Sequence, residues 1–180
     1  MDEAERQRER RRLWTLADYQ FGRGAGRALF GEVGVTVRRT STGRPQQVLA
    51  DGNRLVSYGT DGRFTLGVAG GRRLHAALDP PAYRVVVGDE SEPYLRDGAN
   101  AFAKFVGGVD PTVRPGDEVL VVHERGDLLA VGRAELPGGA MRDFGTGMAV
   151  KTREGVGAPA DEGGGDGDAD VDPDPDADSA

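Results

Sequence analysis

Tyr94-Leu95-Arg96-Asp97-Gly98-Ala99-Asn100-Ala101-Phe102-Ala103-Lys104-Phe105-Val106 is the stretch on which the reading of this chain turns. It follows a strand-like run, Tyr83-Arg84-Val85-Val86-Val87, and an acidic turn from Gly88 to Pro93. Its spacing predicts a short helix with Leu95, Ala99, Phe102 and Val106 on one face, because residues three and four apart stack on a helix surface. The other face then carries Arg96, Asn100 and Lys104. Gly98 at one end and Gly107-Gly108 at the other allow a second backbone to come close. A basic, hydrogen-bonding edge of this kind is a candidate surface for nucleic acid.

Downstream, Val109-Asp110 and a turn from Pro111 to Asp117 precede the apolar run Glu118 to His123. Arg125-Gly126-Asp127 turns the chain into Leu128 to Leu136. A turn or short helix from Pro137 to Phe144 then leads to Gly145 to Arg153. Short strands at this density predict a closed or nearly closed barrel, since closure removes unpaired edges. From 156 onward the chain is Gly, Asp, Ala and Pro without apolar periodicity, and residues 156–180 are expected to form a disordered acidic tail.

Upstream, Leu13, Leu16, Ala17, Gln20 and Phe21 share one face of a helix expected from about Glu3 to Phe21. Its first half alternates acids and arginines. Glu5 with Glu9 and Arg8 with Arg12 are like-charged at i,i+4, whereas Glu9 faces Arg12, so that half is expected to fray. Gly22 to Gly26 break the helix before a helical turn at Arg27 to Phe30. A phosphate-loop reading of those glycines fails, because such a loop follows a strand and opens a helix. From Val33 to Leu74 the pattern is strand-like, with Asp51-Gly52 and Asp61-Gly62 as hairpin turns and Gly70-Gly71 closing the last strand. Asp79-Pro80-Pro81 is a stiff joint. The expected fold class is therefore α+β: a small α+β unit over residues 1–80, then a β pseudobarrel over 81–155.

Composition narrows the chemistry. The 29 glycines and 10 prolines against a single tryptophan fit short strands and many turns. No run approaches the roughly 20 apolar residues of a bilayer-crossing helix, and no charged-then-apolar leader opens the chain. A cytoplasmic location and no membrane partner are expected. Cysteine is absent, which excludes disulfides and thiolate zinc sites. His75 and His123 stand apart from any clustered carboxylates in the sequence, so neither metal nor cofactor is expected.

The formal charge of −7 is unevenly spread. Nine acidic residues lie between Asp161 and Asp178 with no Lys or Arg, leaving 23 basic against 21 acidic side chains, a net of +2, in residues 1–160. Lys104 and Lys151 are the only lysines. Preference for Arg and Asp suggests a GC-rich genome and a salt-rich, halophilic archaeal cytoplasm, where screening weakens phosphate attraction.

The second unit closely resembles the PUA domain, the RNA-binding module named for pseudouridine synthases and archaeosine transglycosylases. The resemblance rests on Pro93 to Val106, Val113-Arg114-Pro115-Gly116-Asp117 to Val122, Leu129 to Ala134, and Gly147 to Arg153, and covers about residues 82–154. The first unit is similar to the domain preceding PUA in archaeal tRNA-guanine transglycosylases, through Leu16 to Gly22, Gly24-Ala25-Gly26, Leu29-Phe30, Ser41 to Arg44 and Asp61 to Leu66. The resemblance implies that structured RNA is gripped by two surfaces. One is Ser91, Arg96, Gly98, Asn100, Phe102 and Lys104; the other is Gly147, Met148, Ala149, Val150 and Lys151. The catalytic barrel and zinc-binding cysteines of that family have no counterpart here.

Read from the residues alone, Phe102 and Phe105 fall in the core rhythm of the helix, and Arg54, Arg63, Arg72 and Arg73 form either a second basic patch or a solvated face. No G-x-S-x-G elbow accompanies Ser41, Ser57 or Ser91, and Asp89-Glu90 and Asp117-Glu118 sit beside turns, where carboxylates cap rather than catalyse. A non-catalytic RNA-binding protein is expected, holding tRNA or another structured RNA as an accessory to archaeosine-type tRNA modification. A factor of the small ribosomal subunit and a protein-interaction adaptor regulated by its acidic tail are the alternatives.

Overall fold

A computed structural model describes residues 1–159. The disorder expected for residues 160–180 lies outside the described residues. Val156 and Gly157 are still tied to the body, their N–H groups donating to Leu129 O and Arg96 O at 2.9 Å each.

Helix α1 (Glu3–Phe21) starts at a reciprocal cap: the Asp2 carboxylate accepts from Glu5 N–H at 2.7 Å, and the Glu5 carboxylate from Asp2 N–H at 3.0 Å. Leu13, Ala17, Gln20 and Phe21 are its buried face. Helix α2 (Ala25–Phe30) lies so close that a Cβ on Gly26 would stand 2.6 Å from the Trp14 backbone. Strands β1 (Val35–Arg39), β2 (Pro45–Ala50), β3 (Asn53–Tyr58) and β4 (Phe64–Leu66) pair antiparallel in chain order. The two Asp-Gly turns sit where expected, at the β2–β3 and β3–β4 connections.

One strand reading fails here. Residues Val68–Ala77 form helix α3, not the end of a strand. Gly70 and Gly71 do not close a turn; they allow the helix to approach, since a Cβ on Gly70 would meet Leu55 O at 2.1 Å and one on Gly71 would meet Val131 Cγ1 at 2.4 Å. Tertiary packing overrides their weak helix propensity.

The second unit runs β5 (Arg84–Val87), α4 (Glu92–Arg96), β6 (Ala101–Phe102), a 3₁₀ turn (Ala103–Phe105), β7 (Val106–Val109), β8 (Glu118–His123), β9 (Leu128–Ala134), α5 (Gly138–Asp143) and β10 (Met148–Gly155). Its sheet has the order β6-β10-β9-β8-β5-β7, with β5 and β8 parallel. β6 and β7 occupy opposite edges yet are joined by only the 3₁₀ turn, so the sheet must curl until its edges nearly meet. This is the expected pseudobarrel.

The opening stretch is not one helix. α4 stops at Arg96, and Gly98 takes φ +92°, a conformation glycine adopts without strain. Gly98 N–H then bonds Leu95 O at 3.0 Å and Ala99 N–H bonds Tyr94 O at 2.9 Å, closing the helix end. Leu95 is buried at 1% exposure, but Phe102 is 45% and Phe105 36% exposed, so the core reading of both phenylalanines is overturned.

The two units share one core. Every residue of β8 is buried because both its faces are covered. Val119 and Val121 point into the barrel, while Leu120 and Val122 pack with Leu13, Phe21, Leu55 and Leu74 of the first unit. At the joint, Tyr83 adopts φ +56°, donates N–H to Asp110 Oδ2 at 2.9 Å and O–H to Gln20 O at 2.7 Å, and sets its ring edge-on to Phe21.

Candidate nucleic-acid interface

The turn that ends α4 carries the chain along β10. Met148 lies opposite Phe102 and Val150 opposite Ala101 in the antiparallel pair. Ala103 N–H donates to Gly147 O at 2.9 Å, and Asn100 Oδ1 accepts from Thr152 N–H at 3.0 Å. The two surfaces inferred from the sequence are therefore neighbours along one seam.

The residues within them play different parts. Phe102, Lys104, Gly147 and Lys151 are exposed; Gly98, Asn100 and Met148 are half-buried. Ser91, Ala149 and Val150 are buried, so little beyond backbone is available there. Arg96 does not project into solvent as the helix reading required. Its Nε meets Glu92 Oε1 at 3.0 Å and its Nη1 meets Gly157 O at 3.3 Å, which ties α4 to the chain leaving β10.

The Lys104 ammonium lies 4.9 Å from the centre of the Phe105 ring, so the cation is held beside an exposed aromatic face. Lys151 stands across the β9–β10 pair from Arg133, whose guanidinium is shared with Glu135 at 2.9 Å. Gly147 has φ +100° and open space where a Cβ would stand, leaving its backbone approachable. Asp89, Glu90 and Glu124 line a groove on one side of Lys104 and Phe105.

His123 departs from expectation. It is not remote from carboxylates: its Nε2 lies 2.7 Å from Asp89 Oδ1 and 3.6 Å from Glu92 Oε2. The cause is topological, since parallel pairing sets His123 beside Val87, just before the turn that carries Asp89 and Glu92. His123 Nδ1 accepts Arg125 N–H at 3.0 Å, while Nε2 lies between Asp89 Oδ1 and Arg125 Nη1, the latter 3.2 Å away. Asp89, Glu92 and His123 are the residues best placed among those described to hold a metal. Arg125 already fills that place, with Nη2 2.8 Å from Glu92 and Nη1 3.6 Å from Asp89. Its hydrogen bond, with that of Arg96, outweighs desolvation and holds the Glu92 carboxyl below its ordinary value. The group is a polar knot binding β5, α4 and β8.

From the sequence, Phe105 was misassigned to the core and the 67% exposed Tyr94 was passed over. A signal existed for the first. Ala101-Phe102-Ala103-Lys104 alternates small buried with large exposed residues, which is the period of a strand.

A curled six-stranded sheet, entered by a short helix and closed by a strap, defines a PUA-type module, and the PUA domain model matches residues 83–156. Residues 11–81 match the patch-forming domain C2 of tRNA-guanine transglycosylase. The chain thus carries a PUA module preceded by a C2-like unit, and over both it is similar to archaeal tRNA-guanine transglycosylases. It is 49% identical over 145 residues to the tRNA-guanine(15) transglycosylase of Pyrococcus furiosus, covering 80% of this chain and 24% of that protein. With the enzyme of the same name from Thermococcus kodakarensis it is 44% identical over 157 residues, 87% of this chain and 27% of that one. It thus spans about a quarter of the length of the curated relatives it matches. In fold it is similar to a hypothetical protein of Pyrococcus horikoshii, with TM-score 0.66, 23% identity and coverage of 83% and 91%. It is also similar to a PUA domain protein of Thermoplasma acidophilum, with TM-score 0.62, 21% identity and coverage of 84% and 91%.

Proposed function

We propose that this chain binds tRNA or another structured RNA without catalysing a reaction, as an accessory to archaeosine-type tRNA modification. The observation that supports the reading is the β6–β10 pairing, in which Phe102 lies opposite Met148 and Ala103 bonds Gly147, with Lys104 and Phe105 following directly on the same strap. Few cations are present, so glycine-edged backbone and exposed rings contribute alongside phosphate attraction. A-form RNA hides its base edges in a deep groove, and such a surface reads sugar-phosphate shape and unpaired ends. The names of the relatives point to tRNA as the RNA and to a tRNA-modifying enzyme as protein partner, with the cytoplasm as the place of action. In this reading the units 1–80 and 81–155 grip RNA as one body, which their shared core supports.

The test is tRNA binding by fluorescence anisotropy over a series of salt concentrations. Replacing Lys104 and Lys151 together by Ala is expected to weaken binding across sequences and to lower the salt slope by about 1.5 to 2. A wild-type protein that ignores every structured RNA offered, or a double variant with unchanged affinity and slope, overturns the reading.

A further inference from the structure

We infer that the solvent face of α1 is a second RNA-contact surface, formed by Arg8, Arg11, Arg12 and Tyr19. This rests on the RNA-binding reading. The four residues follow the i, i+3, i+4, i+11 spacing of a single helix stripe, turned away from buried Leu13, Ala17 and Phe21. At 1.5 Å per residue it runs about 16 Å. Arg8 and the first turns of α1 precede residues 11–81, where the C2 match lies.

Arg8 and Arg12 have lost their natural partners. On helical spacing Glu5 belongs with Arg8 and Glu9 with Arg12. Glu5 is taken by the cap at Asp2 N–H, and Glu9 is taken by Arg39 of β1. The Glu9–Arg12 pairing expected from the sequence is therefore not made. Among the described residues Arg8, Arg11 and Arg12 form no ion pair, whereas Arg6 on the same helix pairs with Glu3 and Arg39 takes Glu9. Glu5 and Glu9 line the groove beside Arg8 and Arg12 but are engaged by the cap and by Arg39. Three guanidinium groups therefore share one face without direct pairing, and a polyanion relieves their mutual repulsion.

The second half of the stripe is aromatic and apolar. Tyr19 is 90% exposed. It lines, with Leu16, Thr15 and the stems of Arg11 and Arg12, a shallow apolar depression. Planar guanidinium groups for phosphate, next to an uncovered ring for a base, are the combination that single-stranded or terminal RNA requires. A protein partner of purely acidic character would have no use for the ring.

The experiment compares full-length wild type with R8Q/R11Q/R12Q, Y19A and, as control on another face of the same helix, R10Q. Glutamine keeps helix propensity high, and circular dichroism and thermal melts check that each variant folds. The triple variant is expected to bind tRNA about tenfold or more weakly at moderate salt, with the salt slope reduced by about 2 to 3. Y19A is expected to weaken binding by roughly 5-fold to 100-fold with the slope unchanged, and R10Q to stay near wild type. If wild type binds tRNA but the folded triple variant matches it in affinity and slope, the stripe is not an RNA surface while the barrel reading stands. A synthetic peptide of residues 161–178 that then binds wild type and not the triple variant assigns the stripe to the acidic tail instead. If wild type binds no RNA at all, the underlying reading falls.

Discussion

Arg153 on β10 closes both of its terminal nitrogens on the carboxylate of Glu118, the first residue of β8, which is only 4% exposed. The same carboxylate accepts Leu66 N–H at 2.7 Å, so one buried charge holds the first unit's edge strand to the barrel. Burial pushes the Glu118 carboxyl above its ordinary 4.5, against the pull of Arg153. Removing the partner leaves that charge unpaired. Arg153→Met is expected to cost about 3–5 kcal/mol in urea unfolding at neutral pH. The folded state holds this proton more tightly than the unfolded chain, so stability declines as pH rises from 4.5 through the folded value. In Arg153→Met that decline should be steeper, and equal slopes in the two proteins would show that the pair does not matter.

Asp110 behaves in the opposite sense. Burial disfavours its charge, but bonds from Thr112 O–H and N–H and from Tyr83 N–H outweigh that and hold its carboxyl below 3.8. Its contribution is present above 3.8 and disappears as pH falls through the folded value. Asp110→Asn is expected to lose about 1–3 kcal/mol at neutral pH, since an amide nitrogen cannot accept those bonds. The variant should also show a flatter acid limb in a series of melts below pH 4.

Two glycines in helices should respond oppositely to alanine. At Gly70 a Cβ would stand 2.1 Å from Leu55 O, so Gly70→Ala must push α3 off β3. A net loss of about 1–3 kcal/mol is expected despite the gain in helix propensity. Gly139 in α5 has nothing within 4 Å of the added carbon. Gly139→Ala is expected to be neutral or to gain up to about 1 kcal/mol. Chemical denaturation of both variants checks the contrast.

Leu95 and Phe102 separate folding from binding within one short stretch. Leu95→Ala is expected to cost about 2–5 kcal/mol, as for other buried leucines. Phe102→Ala should leave the melting temperature nearly unchanged and weaken tRNA binding by roughly 5-fold or more if a base rests on the ring. A Phe102 variant that melts early would return this residue to the core.

The chain's elements were largely readable where a local cause sets them. The Leu13–Phe21 face, the two Asp-Gly turns and the apolar run from Val119 to Val122 announce α1, the β-hairpins and a buried strand. The Asp2–Glu5 cap that holds the first turn of α1 was passed over, and fraying was expected there. What else failed depends on contacts from elsewhere. Gly70 and Gly71 look like a turn until Leu55 and Val131 are seen against them. The helix rhythm from Leu95 to Val106 is an accident of spacing, because Gly98 ends the helix and the Ala-Phe-Ala-Lys alternation that follows is β-like. Of the site, the family resemblance located the seam, but Arg96 and Ser91 are absorbed by structure. His123 met its carboxylates only through the parallel β5–β8 register, which no local pattern encodes.

The strap from Ala101 to Val109 joins the barrel's two margins and also displays Lys104 and Phe105. Loop length at this point is therefore not a free variable. An insertion between Ala103 and Phe105 would unfasten two strand edges and displace Lys104 and Phe105 in one stroke. Variation on this hem of constant size is confined to exchange of side chains, while tolerance for added sequence is displaced to other connections.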